Sequence, residues 1–214
     1  MIIVIDGPAG TGKTTIAKRV AEKLGYHYFD TGALYRCLTH LILKKKIDIK
    51  NNEQVERLLQ AFQFEIKDGH YFANGEDVTE IIRSPEVTAQ VSAVAALPLV
   101  REMLIHVQRN FAHTKHAVFE GRDLGTVVFP GADLKIFLTA RPAVRAERRY
   151  LELKSKTTIT EAEVLKQLIE RDHFDSTREI APLKQAEDAH LIDTSDLDIE
   201  GVIERISTLL PQSK

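Results

Sequence analysis

Eight consecutive residues, Gly7-Pro8-Ala9-Gly10-Thr11-Gly12-Lys13-Thr14, fit the pattern G-x-x-x-x-G-K-[ST] without a mismatch. Glycines at this spacing let successive backbone N–H groups turn inward as an anion-binding nest, and a following helix adds the partial positive charge of its N-terminus. The chemistry this points to is polyphosphate binding along Gly7, Pro8, Ala9, Gly10, Thr11, Gly12, Lys13, Thr14 and Thr15. The Lys13 ammonium, expected to be exposed in the loop, would reach the β- and γ-phosphates. The Thr14 hydroxyl would be a ligand of the Mg²⁺ that bridges them. Two further clusters have residue types suited to phosphate or base recognition: Asp30-Thr31 with Arg36 downstream, and Glu120-Gly121-Arg122-Asp123.

The elements that must hold these residues follow from the apolar pattern. Ile2 to Ile5 reads as a fully buried parallel strand, and Ile16, Ala17, Val20, Ala21 and Leu24 recur at helical spacing behind the loop. Gly25 stops that helix, and Tyr26 to Phe29 form a short strand ending at Asp30-Thr31-Gly32. The next helix carries Leu34, Leu38, Leu41 and Ile42 on one face and Arg36 on another. Cys37 is a small core residue of this helix, and Lys44-Lys45-Lys46 is its solvated, dipole-compensating end. A helix from Asn51 leads into Phe64, Ile66, Tyr71 and Phe72, whose turn signals at Asp68-Gly69 and Asn74-Gly75 mark hairpins. Two helices, Pro85 to Ala96 and Pro98 to Phe111, carry Ser92 and Arg101. Strands at Ala117 to Phe119, Leu134 to Thr139 and Ala189 to Ile192 alternate with helices, the last at Ile199 to Leu210. The helix marked by Val164, Leu165, Leu168 and Ile169 is expected to end in the charged stretch Arg171 to Glu179. Such alternation predicts an α/β fold with a parallel sheet covered by helices on both faces. Ligands should gather at the carboxyl ends of its strands, where the Gly7, Asp30 and Glu120 clusters all lie.

Composition bounds the partners. The chain has 214 residues, a formal net charge of −2 and one cysteine. That charge gives no general attraction to nucleic acid, and no window has the roughly 18 apolar residues needed to span a bilayer. One thiol makes no internal disulfide, and no signal segment precedes the first strand, so a cytoplasmic location is expected. Nothing demands more than a monomer.

A phosphate loop alone leaves open a GTPase switch, an ATP-driven motor and a small-molecule kinase. No N-K-x-D or T-K-x-D base-reading tetrapeptide occurs, and no hydrophobic strand ends in Asp-Glu or Asp-Asp. The chain instead places arginines late, at Arg141, Arg145, Arg148, Arg149, Arg171 and Arg178. Phosphoryl transfer to an anionic acceptor needs several cations to neutralise donor and acceptor phosphates together. Arg171, Asp172, Asp175 and Arg178 follow helical spacing and would present one charged face.

At this point the chain resembles the bacterial cytidylate kinases. The residues that carry the resemblance are Ile5-Asp6-Gly7-Pro8-Ala9-Gly10-Thr11-Gly12-Lys13, Asp30-Thr31-Gly32-Ala33-Leu34-Tyr35-Arg36, Gly75-Glu76-Asp77-Val78, Gly121-Arg122-Asp123-Leu124-Gly125-Thr126-Val127-Val128-Phe129-Pro130 and Ala181-Pro182-Leu183. The resemblance implies one P-loop nucleoside monophosphate kinase domain over 1–214, with a monophosphate-binding insertion at about 63–83 and a mobile, solvated arginine-rich lid at about 148–178. It implies transfer of the γ-phosphoryl of ATP to CMP or dCMP, with Mg²⁺ required. Thr31, Arg36 and Arg122 match positions that hold the acceptor phosphate, although many relatives have Ser where Thr31 stands. Ser92, Arg101 and Asp123 match cytosine-reading positions. Arg171 and Asp175 match residues near the acceptor sugar, and Arg178 matches a phosphate-binding arginine. Lys13, Arg171 and Arg178 would be catalytic.

The base-reading positions make chemical sense. Cytosine offers an N4 amine as donor and N3 and O2 as acceptors, which suit a carboxylate at Asp123 and a guanidinium at Arg101. Uracil reverses both polarities at O4 and N3. Alternatives that remain are a salt bridge between Arg122 and Asp123 themselves, another acceptor such as UMP, AMP or shikimate, and a nucleotide-sensing protein that regulates a partner.

Overall fold

The structure is a computed structural model that describes residues 1–113, 115–155 and 157–210. Lys156, inside the expected lid, and residues 211–214, at the end of the expected domain, lie outside the described residues.

In chain order the elements are β1 (Ile2–Asp6), α1 (Lys13–Leu24), β2 (His27–Asp30), α2 (Thr31–Lys44), α3 (Asn52–Gln60), β3 (Phe64–Lys67), β4 (His70–Ala73) and β5 (Glu76–Asp77). A 3-10 turn (Ile81–Arg83), α4 (Pro85–Ala95), α5 (Pro98–Ala112), β6 (Ala117–Gly121) and a π-helical turn (Leu124–Val128) follow. The chain ends with β7 (Leu134–Thr139), α6 (Pro142–Leu153), α7 (Glu161–Thr177), β8 (His190–Asp193) and α8 (Ile199–Leu209). It divides into two compact units, one of Met1–Phe29 and Phe111–Lys214, the other of Asp30–Asn110.

The first unit is built on a parallel five-stranded sheet in the order β2-β6-β1-β7-β8, flanked by helices. This is the α/β architecture expected from the alternation of apolar strands with helices. Asp6 at the end of β1 is level with Gly121 of β6 and Phe137 of β7. Ile3, Ile5, Val118, Ile136 and Leu138 from the strands pack with Ile16 and Val20 of α1 and Ile203 and Ile206 of α8. Burying such side chains contributes about 1.5–3 kcal/mol each, and this cluster anchors the strand ends from which the functional loops leave. Gly25 takes the left-handed conformation that closes α1, with φ 67°.

Helices α6 and α7 share an apolar seam of Ala146, Val164 and Leu168. A capping box starts α7: the Thr160 hydroxyl accepts from the Glu163 N–H while the Glu163 carboxylate accepts from the Thr160 N–H. As the sequence indicates, α7 ends within the charged stretch, at Thr177. Its Asp172 and Asp175 are taken up in ion pairs with Arg145 and Arg122.

In the second unit the Asp30 carboxylate caps α2, accepting from the Ala33 N–H at 2.9 Å. Helix α2 packs against α4 and β4. The hairpins form an antiparallel sheet β3-β4-β5, with Asp68 and Asn74 at the turns in the left-handed conformation, as their turn signals indicated. Cys37 is fully buried, and burial pushes its thiol up to about 12. Among the described residues no single helix is long and apolar enough to cross a membrane; only α4 and α5 together reach such a composition, across a 97° bend.

Candidate active site

The phosphate loop leaves β1 so close to β7 that a side chain at its first position has no room. A Cβ on Gly7 would lie 2.1 Å from the Leu138 carbonyl oxygen, and φ there is +146°. Gly10 is similarly confined, since a Cβ would come within 3.0 Å of Arg145 Cβ. Only glycine fits both conditions at Gly7. Thr11 is buried and its hydroxyl donates to the Pro8 carbonyl at 3.1 Å. Thr15 is exposed behind the loop.

Lys13 is the first residue of α1 and is only 6% exposed, so the expectation of an exposed loop lysine is corrected. Its Nζ donates to the Pro8 carbonyl at 2.6 Å, folded against the loop that carries it. Burial first, and the Arg122 guanidinium second, push the ammonium well below its ordinary value; Glu120 raises it again, and Arg171 adds to the lowering.

The Thr14 hydroxyl donates to Glu120 Oε2 at 3.0 Å. Glu120 is 5% exposed and also accepts from the Tyr28 hydroxyl. Sequence reasoning noted Glu120 but gave it no role. The signal was there, an apolar strand ending in a carboxylate, but the register that sets β6 beside β1 is a tertiary fact. A hydroxyl and a carboxylate facing each other here are oxygen donors of the kind Mg²⁺ takes beside phosphates.

Beyond β6 the structure builds a cluster of guanidinium–carboxylate pairs. Arg122 Nε donates to Asp175 Oδ2 at 3.2 Å, and Arg178 Nη2 donates to Asp123 Oδ1 at 3.1 Å. Both neighbours on β6's exit therefore pair with the end of α7, so the alternative of an Arg122–Asp123 bridge gives way to this crossed arrangement. Arg178 Nε also donates to the Ala181 carbonyl at 2.7 Å. Arg171 lies 3.8 Å from Asp175, and its buried Nε makes no hydrogen bond. Burial, then Arg122, brings the Arg171 guanidinium down to about 10.

The arginines expected to be solvated are thus largely enclosed. The Arg178 side chain is 5% exposed and that of Arg171 27%. At Arg178 the Asp123 carboxylate and the Ala181 carbonyl offset that burial, whereas at Arg171 the more distant Asp175 offsets it only in part. Arg145, which composition had marked only as one of a series, is buried and donates to the Ala9 carbonyl of the phosphate loop at 3.1 Å and to Asp172 of α7. Arg149, which also lowers Arg171, is another cation of this group that the sequence left unassigned.

In the second unit Thr31 is buried in the first turn of α2. Arg36 Nη1 donates to the Ile82 carbonyl at 3.2 Å and to the Thr88 hydroxyl at 2.8 Å. Arg83, which sequence reasoning missed, donates to Asp30 Oδ2 at 3.0 Å, beside the helix start that Asp30 caps. A helix N-terminus with two arginines in its surroundings is suited to an anion. Arg101 is 2% exposed, donates to the Ala95 carbonyl at 3.2 Å and stands over the Tyr35 ring at 5.8 Å. Ser92 is half-buried on α4.

A family model described as cytidylate kinase matches residues 3–212. The chain is 54% identical over 215 residues to the cytidylate kinase of Protochlamydia amoebophila, with 96% of this chain and 94% of that one covered. It is 46% identical over 211 residues to the cytidylate kinase of Clostridium tetani, covering 98% and 93%. Among solved structures it is similar in fold to a shikimate kinase from Bacteroides thetaiotaomicron, with a TM-score of 0.50 at 18% identity over 98% of this chain and 97% of that one.

Proposed function

The chain belongs to the cytidylate kinase family and transfers the γ-phosphoryl group of ATP to CMP or dCMP, and from that premise we propose how its residues divide the work. The observation that supports the assignment is the gathering of Lys13 and Arg171 around Arg122, whose charge, after burial, lowers both. Cations drawn together beside a phosphate loop suit a polyanion.

Gly7 to Thr15 cradle the donor phosphates, with Lys13 as the principal catalytic residue. Thr14 and Glu120 would hold Mg²⁺ with those phosphates; when bound, the ion neutralises charge across the β- and γ-phosphates. Thr31, Arg36 and Arg122 take the acceptor phosphate. Arg171 and Asp175 take the acceptor sugar. Arg178 and Arg171 complete the catalytic set as the lid, at about 148–178, closes over the site. The insertion at about 63–83 belongs to the monophosphate side, and the kinase domain spans 1–214 as a monomer in the cytoplasm, with no nucleic-acid or membrane partner.

The acceptor oxygen is ionised at neutral pH, so no strong general base is required. Catalysis is positioning, charge neutralisation and exclusion of water. Asp123 accepts from the cytosine N4 amine, Arg101 donates to N3 or O2, and Ser92 supplies a weaker neutral contact. A carboxylate has lone pairs enough to hold Arg178 and a base amine together.

Steady-state kinetics with CMP and UMP test this division. Asp123→Ala should lower kcat/KM for CMP by about 1–3 kcal/mol and for UMP by less, so that the preference narrows. Arg101→Ala should weaken both, because both bases have an O2 acceptor. An unchanged preference in Asp123→Ala would move base recognition to other residues.

A further inference from the structure

Asp6 is the last residue of β1 and stands immediately before the phosphate loop, but its side chain serves another segment. Oδ1 accepts from the Leu124 N–H at 3.0 Å and Oδ2 from the Gly125 N–H at 2.8 Å. Those are the first two residues of the π-helical turn that follows Asp123. Strand pairing between β1 and β6 reaches its end where Asp6 is level with Gly121. The segment is therefore pinned on either side of two residues, by backbone pairing at Gly121 and by the Asp6 carboxylate at Leu124. The two residues between the pins are Arg122 and Asp123.

Asp6 is 4% exposed, and burial raises its carboxyl to about 6 in spite of the two N–H donors; Asp123 adds to the rise and Lys13 opposes it. A well-packed apolar side chain generally serves stability at least as well as a buried charge, so its presence here calls for a role in placement. The turn it holds is closely seated. A Cβ on Gly125 would meet Lys135 Cδ at 3.2 Å, Ala186 Cβ at 3.4 Å and Asp6 Oδ2 at 3.5 Å. At the far end of the segment the buried Lys135 donates to the Pro130 carbonyl and to both oxygens of Asp188.

We propose that Asp6 is a positioning residue that fixes the backbone bearing Arg122 and Asp123, and so joins base selection to the strand that launches the phosphate loop. The proposal rests on the reading that Asp123 recognises the cytosine amine. It predicts that Asp6 acts through Asp123, which a double-mutant cycle can test. Asp6→Asn keeps the shape and one acceptor but turns an amide NH₂ toward one of the two N–H groups. kcat/KM for CMP and UMP is measured in the wild type, Asp6→Asn, Asp123→Ala and the double variant, with KM for ATP alongside.

Asp6→Asn should lower kcat/KM for CMP about 10- to 100-fold, narrow the CMP to UMP preference and leave KM for ATP within about twofold. Adding Asp6→Asn to Asp123→Ala should cost several-fold less than it costs the wild type, since the part of its effect that runs through Asp123 is already gone and only the part that runs through Arg122 remains. A merely structural Asp6 would lower both substrates alike and its effect would multiply with that of Asp123→Ala; either result overturns the proposal. An unchanged preference in Asp123→Ala would overturn the base-reading assignment, while the cycle in CMP turnover still decides whether Asp6 works through Asp123. If Asp6→Asn does not fold, Gly125→Ala displaces the same turn by its Cβ contacts. It should narrow the preference, and an unchanged preference there refutes the proposal.

Discussion

Nine consecutive residues, Gly7 to Thr15, make the phosphate loop, whereas the pairs Arg122–Asp175 and Arg178–Asp123 join positions 53 and 55 apart. Both regions are assigned to phosphate chemistry in the same unit, and they are constructed on opposite principles. The loop works through its backbone: φ is positive at Gly7, Gly10 and Gly12, and at Gly7 the neighbouring strand leaves no room for a Cβ. The cluster works through side chains whose charges are already balanced by one another. A backbone site should fail abruptly, by steric conflict. A site of paired side chains should fail in parts, and each loss should show in the partner left behind.

Changing Gly7 to Ala should break the first region most completely. With a Cβ 2.1 Å from a backbone oxygen, the loop or β7 must move. We expect unfolding free energy to fall by more than about 4 kcal/mol and ATP binding to be lost. Urea unfolding with ATP titration checks both, and a variant of normal stability would remove the steric argument. Lys13→Ala tests the same region without a clash. It should cost roughly 3 kcal/mol of transition-state stabilisation, about a hundredfold in kcat. Thermal stability should hold or rise, because a desolvated cation is removed. More than about a tenth of wild-type turnover would contradict the role given to Lys13.

The cluster should answer differently. Arg178→Ala takes the Arg178 partner from Asp123, whose side chain is 8% exposed, and should destabilise by about 3 kcal/mol while also impairing turnover. Adding Asp123→Asn should restore much of the stability but not the turnover, since the paired charge is then gone from both sides. Melting temperatures and kcat for the wild type, Arg178→Ala and the double variant decide it; stability that does not recover would mean that the pair is not the source of the loss.

A smaller effect separates the two regions by pH. Asp6 holds its proton more tightly folded, at about 6, than at the ordinary 3.8, so between those values the folded chain binds more protons. Its contribution therefore favours the folded state below about pH 4 and is lost as pH rises through about 6. Relative to Asp6→Asn, the wild type should lose on the order of 2–3 kcal/mol of stability between pH 4 and pH 7. Denaturant titrations at both values provide the comparison, and parallel pH profiles would deny the raised carboxyl.

The same contrast explains what could be read from the sequence. The strand, loop and helix around Gly7 to Thr14 were legible because residue spacing over one turn of chain sets them, whereas the burial of Lys13 was not. Also legible were the hairpin turns at Asp68 and Asn74, and the helix ends at Gly25 and Asn51. Arg122, Asp123, Asp175 and Arg178 were legible as residues but not as pairs. Their partners are chosen by which strand end faces which helix turn, and no local pattern carries that. Glu120 opposite Thr14 depends on the β1–β6 register in the same way. The enclosure of Lys13 and Arg178 was misjudged because charged side chains are usually exposed, and only the surrounding carbonyls and carboxylates make their burial tolerable.

The most direct test of the account is an assay of ADP release by the wild-type chain with CMP, dCMP, UMP, AMP and shikimate in turn. CMP and dCMP should turn over with the highest kcat/KM, UMP at least about a hundredfold less well, and AMP and shikimate at background, since a site that leaves buried polar groups unpaired rejects strongly. Equal turnover of UMP and CMP, or preference for AMP or shikimate, would contradict the cytosine-reading role of Asp123 and Arg101 on which the site assignment depends.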